Sequence, residues 1–282
     1  MRPFGFRKGA FFMERSNVKG GEVMNKFLKL GLAAVLSVVA LAGCSSGSDT
    51  ESTEKPTEVL IGISPDYMPY EGLDSKGELE GFDIDMTAWL FDYLNKNGCN
   101  YTYEFKELSF DTIITALQAG QIDLGISGFT YDEEREGIFS DSYYDSAQVV
   151  VVNKDSDIQS TSDLNGKLVG AQQGATGEDV ANDIDGAKVQ AMQDVKVLME
   201  SLKAQGLDAV VIDQAVADNY AANGDYKVLD EKLLIEENII YSTKDHQDLM
   251  DDINEAIKAF KESGDYKTMV DKWFAASGEA SE

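Results

Sequence analysis

The chain has 282 residues, 24 of them basic against 51 acidic, for a net charge of −27 at pH 7. So acidic a surface argues against nucleic acid as a partner, which needs basic patches, and mainly serves solubility. One histidine, His246, and two cysteines leave little material for a histidine metal site, a Ser/His/Asp triad or a disulfide framework, and the acidic runs Asp132-Glu133-Glu134 and Glu236-Glu237 read as solvated faces.

Residues 1–43 read as a leader. Lys26 and Lys29 precede the apolar run Leu30 to Leu41, which is short for a membrane span, and Leu41-Ala42-Gly43-Cys44 follows. Met24 is the expected start of translation, because Lys19-Gly20-Gly21 is what a purine-rich ribosome-binding sequence would encode if translated. Seven of the basic and two of the acidic residues fall in the leader, which leaves 17 against 49 over the remaining 239 residues, enough for one large or two small domains. Residues 44–57 are polar and read as a tether. Cys99 follows Gly98 at a helix end and reads as a packed or partly exposed free thiol.

The elements then follow in order. Val59 to Ile63 is a short apolar strand, and Pro65 to Tyr70 is a loop stiffened by two prolines that holds Tyr67 and Tyr70 near the strand end. Asp83 is a plausible N-cap for a helix with an apolar stripe from Ile84 to Leu94, closed by Gly98. Tyr101 to Phe105 alternates as a strand, and Phe110 precedes a helix with Ile113, Ile114 and Leu117 that stops at Gly120. Ile122, Leu124 and Ile126 carry a buried strand that ends at Gly128. Thr130 stands three residues before Glu133, the capping-box spacing that predicts a new helix start. Arg135, one turn on, is the only arginine after the leader. An arginine beside unpaired helix N–H groups makes a site for a small anion such as a carboxylate; the alternative is a surface ion pair with Asp132 or Glu134.

Leu202 to Asp213 repeats the pattern of Leu117 to Gly128 at a constant offset of 85, through Leu117/Leu202, Ala119/Ala204, Ile122/Leu207, Asp123/Asp208 and Ile126/Val211. Two such units predict two lobes of similar build, with Gly128 and Asp213 at equivalent strand ends, where open α/β sheets bind ligands. A ligand with a carboxylate and an ammonium on one carbon would satisfy Arg135 and Asp213 together. Between the units, Val149 to Val152 is a buried strand, and Lys167 to Ala171 is another. Gln172 to Thr176 forms a loop, and Thr176 and Asp179 space a second helix start toward the cleft. Asp213 also reads as the N-cap of the helix that follows, and Leu249 to Phe260 and Tyr266 to Phe274 supply two closing helices.

The segment Leu41 to Cys44 resembles a bacterial lipoprotein signal, which implies cleavage before Cys44 and lipid attachment to its sulfur. GFDIDMTAWL, ITALQAGQIDLGISGFTYDEER, DLNGKLVGAQQGATGE, LKAQGLDAVVID and GDYKTMVDKWF, in this order, resemble the extracellular solute-binding proteins of polar amino-acid ABC transporters, from about Val59 to Phe274. The resemblance implies a two-lobed periplasmic-binding-protein-like α/β fold of type II. Lobe 1 would span 57–148 and 242–275 and lobe 2 149–241, with crossings near 149–152 and 238–242 and a tail over 276–282. The expected partners are an amino acid, a permease with its ATPase, and the outer face of the cell membrane through Cys44, with the chain a monomer and without cofactor, metal or catalysis.

The site residues the resemblance implies are Arg135 for the α-carboxylate, Thr130 through its hydroxyl and N–H, Gly128 through its carbonyl, Thr176 through its N–H, and Asp213 for the ammonium. Tyr67 and Phe110 would wall the side chain. Ser64 stands where relatives that take cationic side chains often carry an acid, and Gln172 where some carry lysine, so the expected ligand is neutral and polar. Ser142 replaces a usual proline, and Tyr241 to Lys244 is an unusual return crossing. A dehydratase-like enzyme on the same fold would need acid/base groups in the cleft, where the sequence offers Asp213 and Asp66; a receptor's sensing domain and a surface adhesin are further alternatives.

Overall fold

The computed structural model describes residues 55–275 apart from Glu134 and Asn223, so the leader, Cys44, most of the tether and the tail lie outside the described residues. In chain order the elements are β1 (Thr57–Ile63), β2 (Gly72–Leu73), β3 (Leu79–Glu80), α1 (Phe82–Lys96), β4 (Tyr101–Glu107), α2 (Phe110–Gln118), β5 (Leu124–Gly125), β6 (Ile138–Phe139) and β7 (Tyr144–Asn153). There follow β8 (Leu168–Gln172), α3 (Thr176–Asn182), β9 (Lys188–Met192), α4 (Val195–Lys203), β10 (Ala209–Asp213), α5 (Gln214–Ala221), β11 (Tyr226–Asn238), β12 (Tyr241–Ser242), α6 (Gln247–Glu262) and α7 (Gly264–Trp273).

Two five-stranded mixed sheets divide these strands. The first runs β4-β1-β5-β12-β6 and the second β11-β7-β10-β8-β9. In each, three parallel strands meet an antiparallel strand: β12 lies against β5, and β7 against β10. Parallel strands need crossover helices, and burial on both faces explains their apolar runs, as in β10, where Ala209 to Ile212 are at most 2% exposed; in the antiparallel β7, Val149 to Val152 are as deeply buried.

The long antiparallel pair β7–β11 lies in the second sheet, from Tyr144↔Asn238 at the end where the chain enters from β6 and leaves to β12, to Tyr226↔Asn153 at the other. β11 has register shifts between Val228 and Leu234, which bend this edge strand.

Two helix starts differ from the sequence reading. Asp83 lies inside α1, whose N-cap is Gly81 at φ 138°; a Cβ there would meet the Tyr70 carbonyl oxygen at 2.1 Å. Asp83 is fully buried and instead accepts from the Gly128 N–H and the Tyr143 hydroxyl. After Thr130 no helix forms. Thr130 pairs with Asn238 as an isolated bridge, Arg135 N–H donates to the Asp132 carbonyl in a turn, and the chain enters β6. Local capping chemistry is worth about 1 kcal/mol, and a strand contact across the molecule overrides it here.

The closing helices match their stripes: Leu249, Ile253, Ala256, Ile257 and Phe260 of α6 are buried, and Phe274 packs on Tyr144 with ring centroids 4.1 Å apart. His246 is more enclosed than a surface residue, with Nε2 3.2 Å from Asp123 Oδ1. Cys99 is partly buried and its thiol faces Asp252. Among the described residues no helix is long and apolar enough to cross a membrane.

Candidate functional site

The strand ends of the two sheets face one another across a cleft. Tyr67, Phe110, Gly128 and Thr130 from one side, and Gln148, Gln172, Ala175 and Thr176 from the other, enclose a cavity of about 10 Å³. That is near the least that holds a water, so a larger guest needs the walls to move. Contacts across the cleft include Val195 N–H to Asp66 Oδ2 at 2.6 Å, Gln193 Nε2 to Asp111 Oδ2 at 3.0 Å and Asn219 Nδ2 to the Met68 carbonyl at 3.5 Å. A larger groove of about 850 Å³ lies outside, between Tyr131, α3 and Leu233–Leu234, and reaches the cleft only at Thr176.

The hydroxyls of Thr130 and Thr176 meet across the cleft at 3.2 Å. Thr176 is the first residue of α3 rather than its cap: Ala175 holds the cap position without a side-chain bond, which frees the Thr176 hydroxyl for the cleft. Gly128 sits at φ 57°, and a Cβ there would press on the Tyr67 ring at 3.2 Å, so the strand end accepts only glycine without strain. Its carbonyl accepts from Asn238 Nδ2 at 3.2 Å. Phe110 stacks on Phe129 at 4.4 Å and Tyr67 on Tyr70 at 5.9 Å, which fixes both aromatic walls.

Arg135 lies beside this cavity rather than in its lining. Its side chain is 6% exposed, with the guanidinium between the rings of Phe129 and Tyr241 at 5.4 and 5.7 Å. It donates to the carbonyls of Thr130 at 3.1 Å and Gly174 at 3.3 Å, and it lies 3.5 Å from Asp132, so the alternative ion pair is present as well. Burial lowers its pKa, with Asp132 opposing. A cation held by rings and carbonyls keeps N–H groups for an anion.

Asp213 is 1% exposed at the end of β10 and does cap α5, accepting from Ala215 N–H at 2.9 Å. Ser146 and Tyr70 hydroxyls also donate to it, at 2.6 and 3.2 Å. Burial pushes its carboxyl up to about 7 despite the Ser146 bond, so a cation arriving there would favour the charged form. Ser64 is buried with its hydroxyl on Asp66 Oδ1 at 2.8 Å, and Gln172 Nε2 reaches the Gln193 carbonyl at 3.5 Å.

A buried acid pair backs the strand end: Glu71 and Asp83 are both 0% exposed. Burial and the Asp83 charge push Glu71 well up, and burial raises Asp83 to about 6. One proton between them relieves the like-charge repulsion.

Sequence reasoning missed Gln148 and Glu236. Gln148 is the one polar residue in the buried run Ala147 to Val152 of β7, which was a usable signal. Glu236, expected on a solvated face, is 9% exposed and accepts from Thr176 and Gln148; alternation along β11 turns it inward while Ile235, 68% exposed, faces out. Nothing in Leu-Leu-Ile-Glu-Glu-Asn signals that register.

The comparisons with known proteins agree with this architecture. The chain is 33% identical over 260 residues to the arginine-binding extracellular protein ArtP of Bacillus subtilis, covering 89% of this chain and 98% of that protein. It is 33% identical to a probable histidine-binding protein of Neisseria gonorrhoeae, covering 90% and 97%. Among solved structures, an ancestral arginine-binding protein bound to glutamine matches with a TM-score of 0.72 and 36% identity, over 78% of this chain and 99% of that one. These relatives are binding proteins rather than enzymes, and the two-lobed type II periplasmic-binding fold is theirs. The model of the bacterial extracellular solute-binding proteins, family 3, matches residues 59–276, and the chain belongs to that family.

Proposed function

We propose that the protein captures an α-amino acid between its two lobes and delivers it to the permease of an ABC importer, held at the outer face of the cell membrane by lipid on Cys44. The observation that carries this reading is the arrangement around one cavity. Thr130 and Thr176 present hydroxyls from opposite sides, the buried cation Arg135 lies on one flank, and the buried acid Asp213 lies behind Tyr67 and Tyr70. Arg135, Thr130 and the Thr176 N–H take the α-carboxylate, and Asp213 with the Gly128 carbonyl takes the ammonium. Tyr67, Phe110, Ser64 and Gln172 surround the side chain.

A neutral polar side chain fits best. Gln148 and Gln172 bring amides to the cavity, and the buried Gln148 Oε1 has no partner. The ancestral arginine-binding relative supports the reading, since it is bound to glutamine. A cationic side chain is the second reading. Asp66, 7% exposed behind Ser64 and with its pKa raised by burial, would serve as its counter-charge, and the Bacillus relative is named for arginine.

The lobes proposed are 57–148 with 242–275, and 149–241; closure about the β7–β11 pair is the proposed motion. A thermal-shift screen of the purified protein against the twenty amino acids tests the function. Ligand at about 100 times its dissociation constant adds about 2.7 kcal/mol of stability. A strong response to glutamine or another uncharged polar amino acid is expected. A response confined to arginine, lysine or histidine selects the second reading, and no response to any amino acid contradicts both.

A further inference from the structure

Strand β11 carries a carboxylate into the predicted anion site. Glu236 pairs with Ser146 on β7, and Asn238, two residues on, bridges Thr130, so the side chain at 236 points between Gln148 and Thr176. Thr176 Oγ1 donates to Glu236 Oε2 at 2.8 Å, and Gln148 Nε2 donates to Oε1 at 2.6 Å. The Thr130 hydroxyl faces the same carboxylate, and the Arg135 guanidinium adds favourable charge. Burial still raises the carboxyl's pKa, with these donors opposing; Asp213 and the Tyr67 hydroxyl are the other ionisable groups that feel its charge.

Thr130, Thr176 and Arg135 are the groups assigned above to the ligand's α-carboxylate. The Thr130 hydroxyl has one proton to donate, Thr176 gives its hydroxyl to Glu236 and would give its N–H to the ligand, and two carboxylates at close range repel, so the subsite holds one carboxylate at a time. β11 is the edge strand of its sheet. Glu236 is 9% exposed, so its side chain already touches solvent.

We infer that Glu236 is an internal carboxylate ligand of the anion subsite, which the α-carboxylate of an incoming amino acid must displace, and that it thereby sets the apparent affinity of the site. This rests on the amino-acid reading of the cleft. A site occupied nine-tenths of the time by its own carboxylate binds its ligand about tenfold more weakly than a free one.

Calorimetry and thermal unfolding of the wild type, Glu236→Gln and Glu236→Ala test it, with circular dichroism to check the fold. Glu236→Gln keeps the shape and removes the charge. It should bind the amino acid found by the screen about tenfold more tightly. Unchanged or weaker binding overturns the inference while leaving the functional reading intact. The second arm needs no amino acid. Sodium acetate, against sodium chloride at equal ionic strength, should raise the melting temperature of Glu236→Ala and leave the wild type unmoved. Acetate without effect on Glu236→Ala, or with an equal effect on both proteins, overturns the inference whatever the amino acids do. Acetate protection of Glu236→Ala with no amino acid bound by any variant would keep the anion subsite and reject the amino-acid function.

Discussion

The two lobes build their halves of the cleft from the same unit, α2–β5 in the first and α4–β10 in the second, and the correspondence extends to single atoms. Asp123 accepts from the Leu60 N–H at 2.7 Å and donates its own N–H to the Leu60 carbonyl at 2.8 Å. Asp208 does the same with Leu168, at 2.8 Å in both directions. A Cβ on Gly62 would meet Ile122 and Ile113 at 2.5 and 2.9 Å, and one on Gly170 would meet Leu207 and Leu198 at 2.5 and 2.6 Å. Ile113/Leu198 and Ile122/Leu207 keep the offset of 85.

The units part at the strand end. In lobe 2, Asp213 caps α5 directly. In lobe 1, Gly128 takes φ 57° and no helix follows; the chain runs out to Thr130 and Arg135 instead. The shared half of each unit serves folding, and the divergent half supplies a cation on one side and an acid on the other.

The largest effect expected is at the divergent end. Asp213→Asn should cost about 2–5 kcal/mol of amino-acid affinity, since it strips the ammonium of its charge partner. The same acid gives a pH test. Its folded pKa is raised to about 7, so below that pH it holds a proton that an ammonium must expel. Affinity should fall by up to about tenfold per pH unit between pH 7 and 5, with proton release visible as a buffer-dependent binding enthalpy. Asp213→Asn should lack this component. For the ligand-free protein the sign is opposite: a raised carboxyl pKa stabilises the fold at low pH. The contribution of Asp213 is full below about 4, its unfolded value, and is lost as pH rises to about 7.

The shared half gives smaller, matched effects. Gly62→Ala and Gly170→Ala should each destabilise by about 1–3 kcal/mol through overpacking, measured by urea unfolding. Equal losses support equivalent packing, and a loss at one site alone breaks the correspondence. Asp123→Ala and Asp208→Ala should each cost about 1 kcal/mol, since both carboxylates are partly exposed. Each carboxylate also has a basic neighbour, His246 beside Asp123 and Lys167 beside Asp208, so the two losses should be similar.

This division also explains what the sequence made legible. The repeat was readable because Leu117/Leu202, Ile122/Leu207 and Asp123/Asp208 are fixed by local helix and strand periodicity. The residues from Thr130 to Arg135 were readable as a site but not as a structure. Thr130 and Glu133 satisfy a local capping rule, yet the contact that decides their conformation comes from Asn238, 108 positions away. Asp83 failed as a cap for a related reason: its partners, Gly128 and Tyr143, come from distant segments. Glu236 was hidden because a strand's inward face is set by pairing with β7, across bulges that composition does not record.

The measurement that bears most directly on the account is isothermal calorimetry of the wild type and Arg135→Ala with the amino acid that stabilises the protein most. Removing the guanidinium should cost the α-carboxylate its charge partner, a loss of about 2–5 kcal/mol, with the fold retained by circular dichroism. Undiminished affinity in a folded Arg135→Ala protein would contradict the clamp between Arg135 and Asp213, and with it the assignment of the cleft.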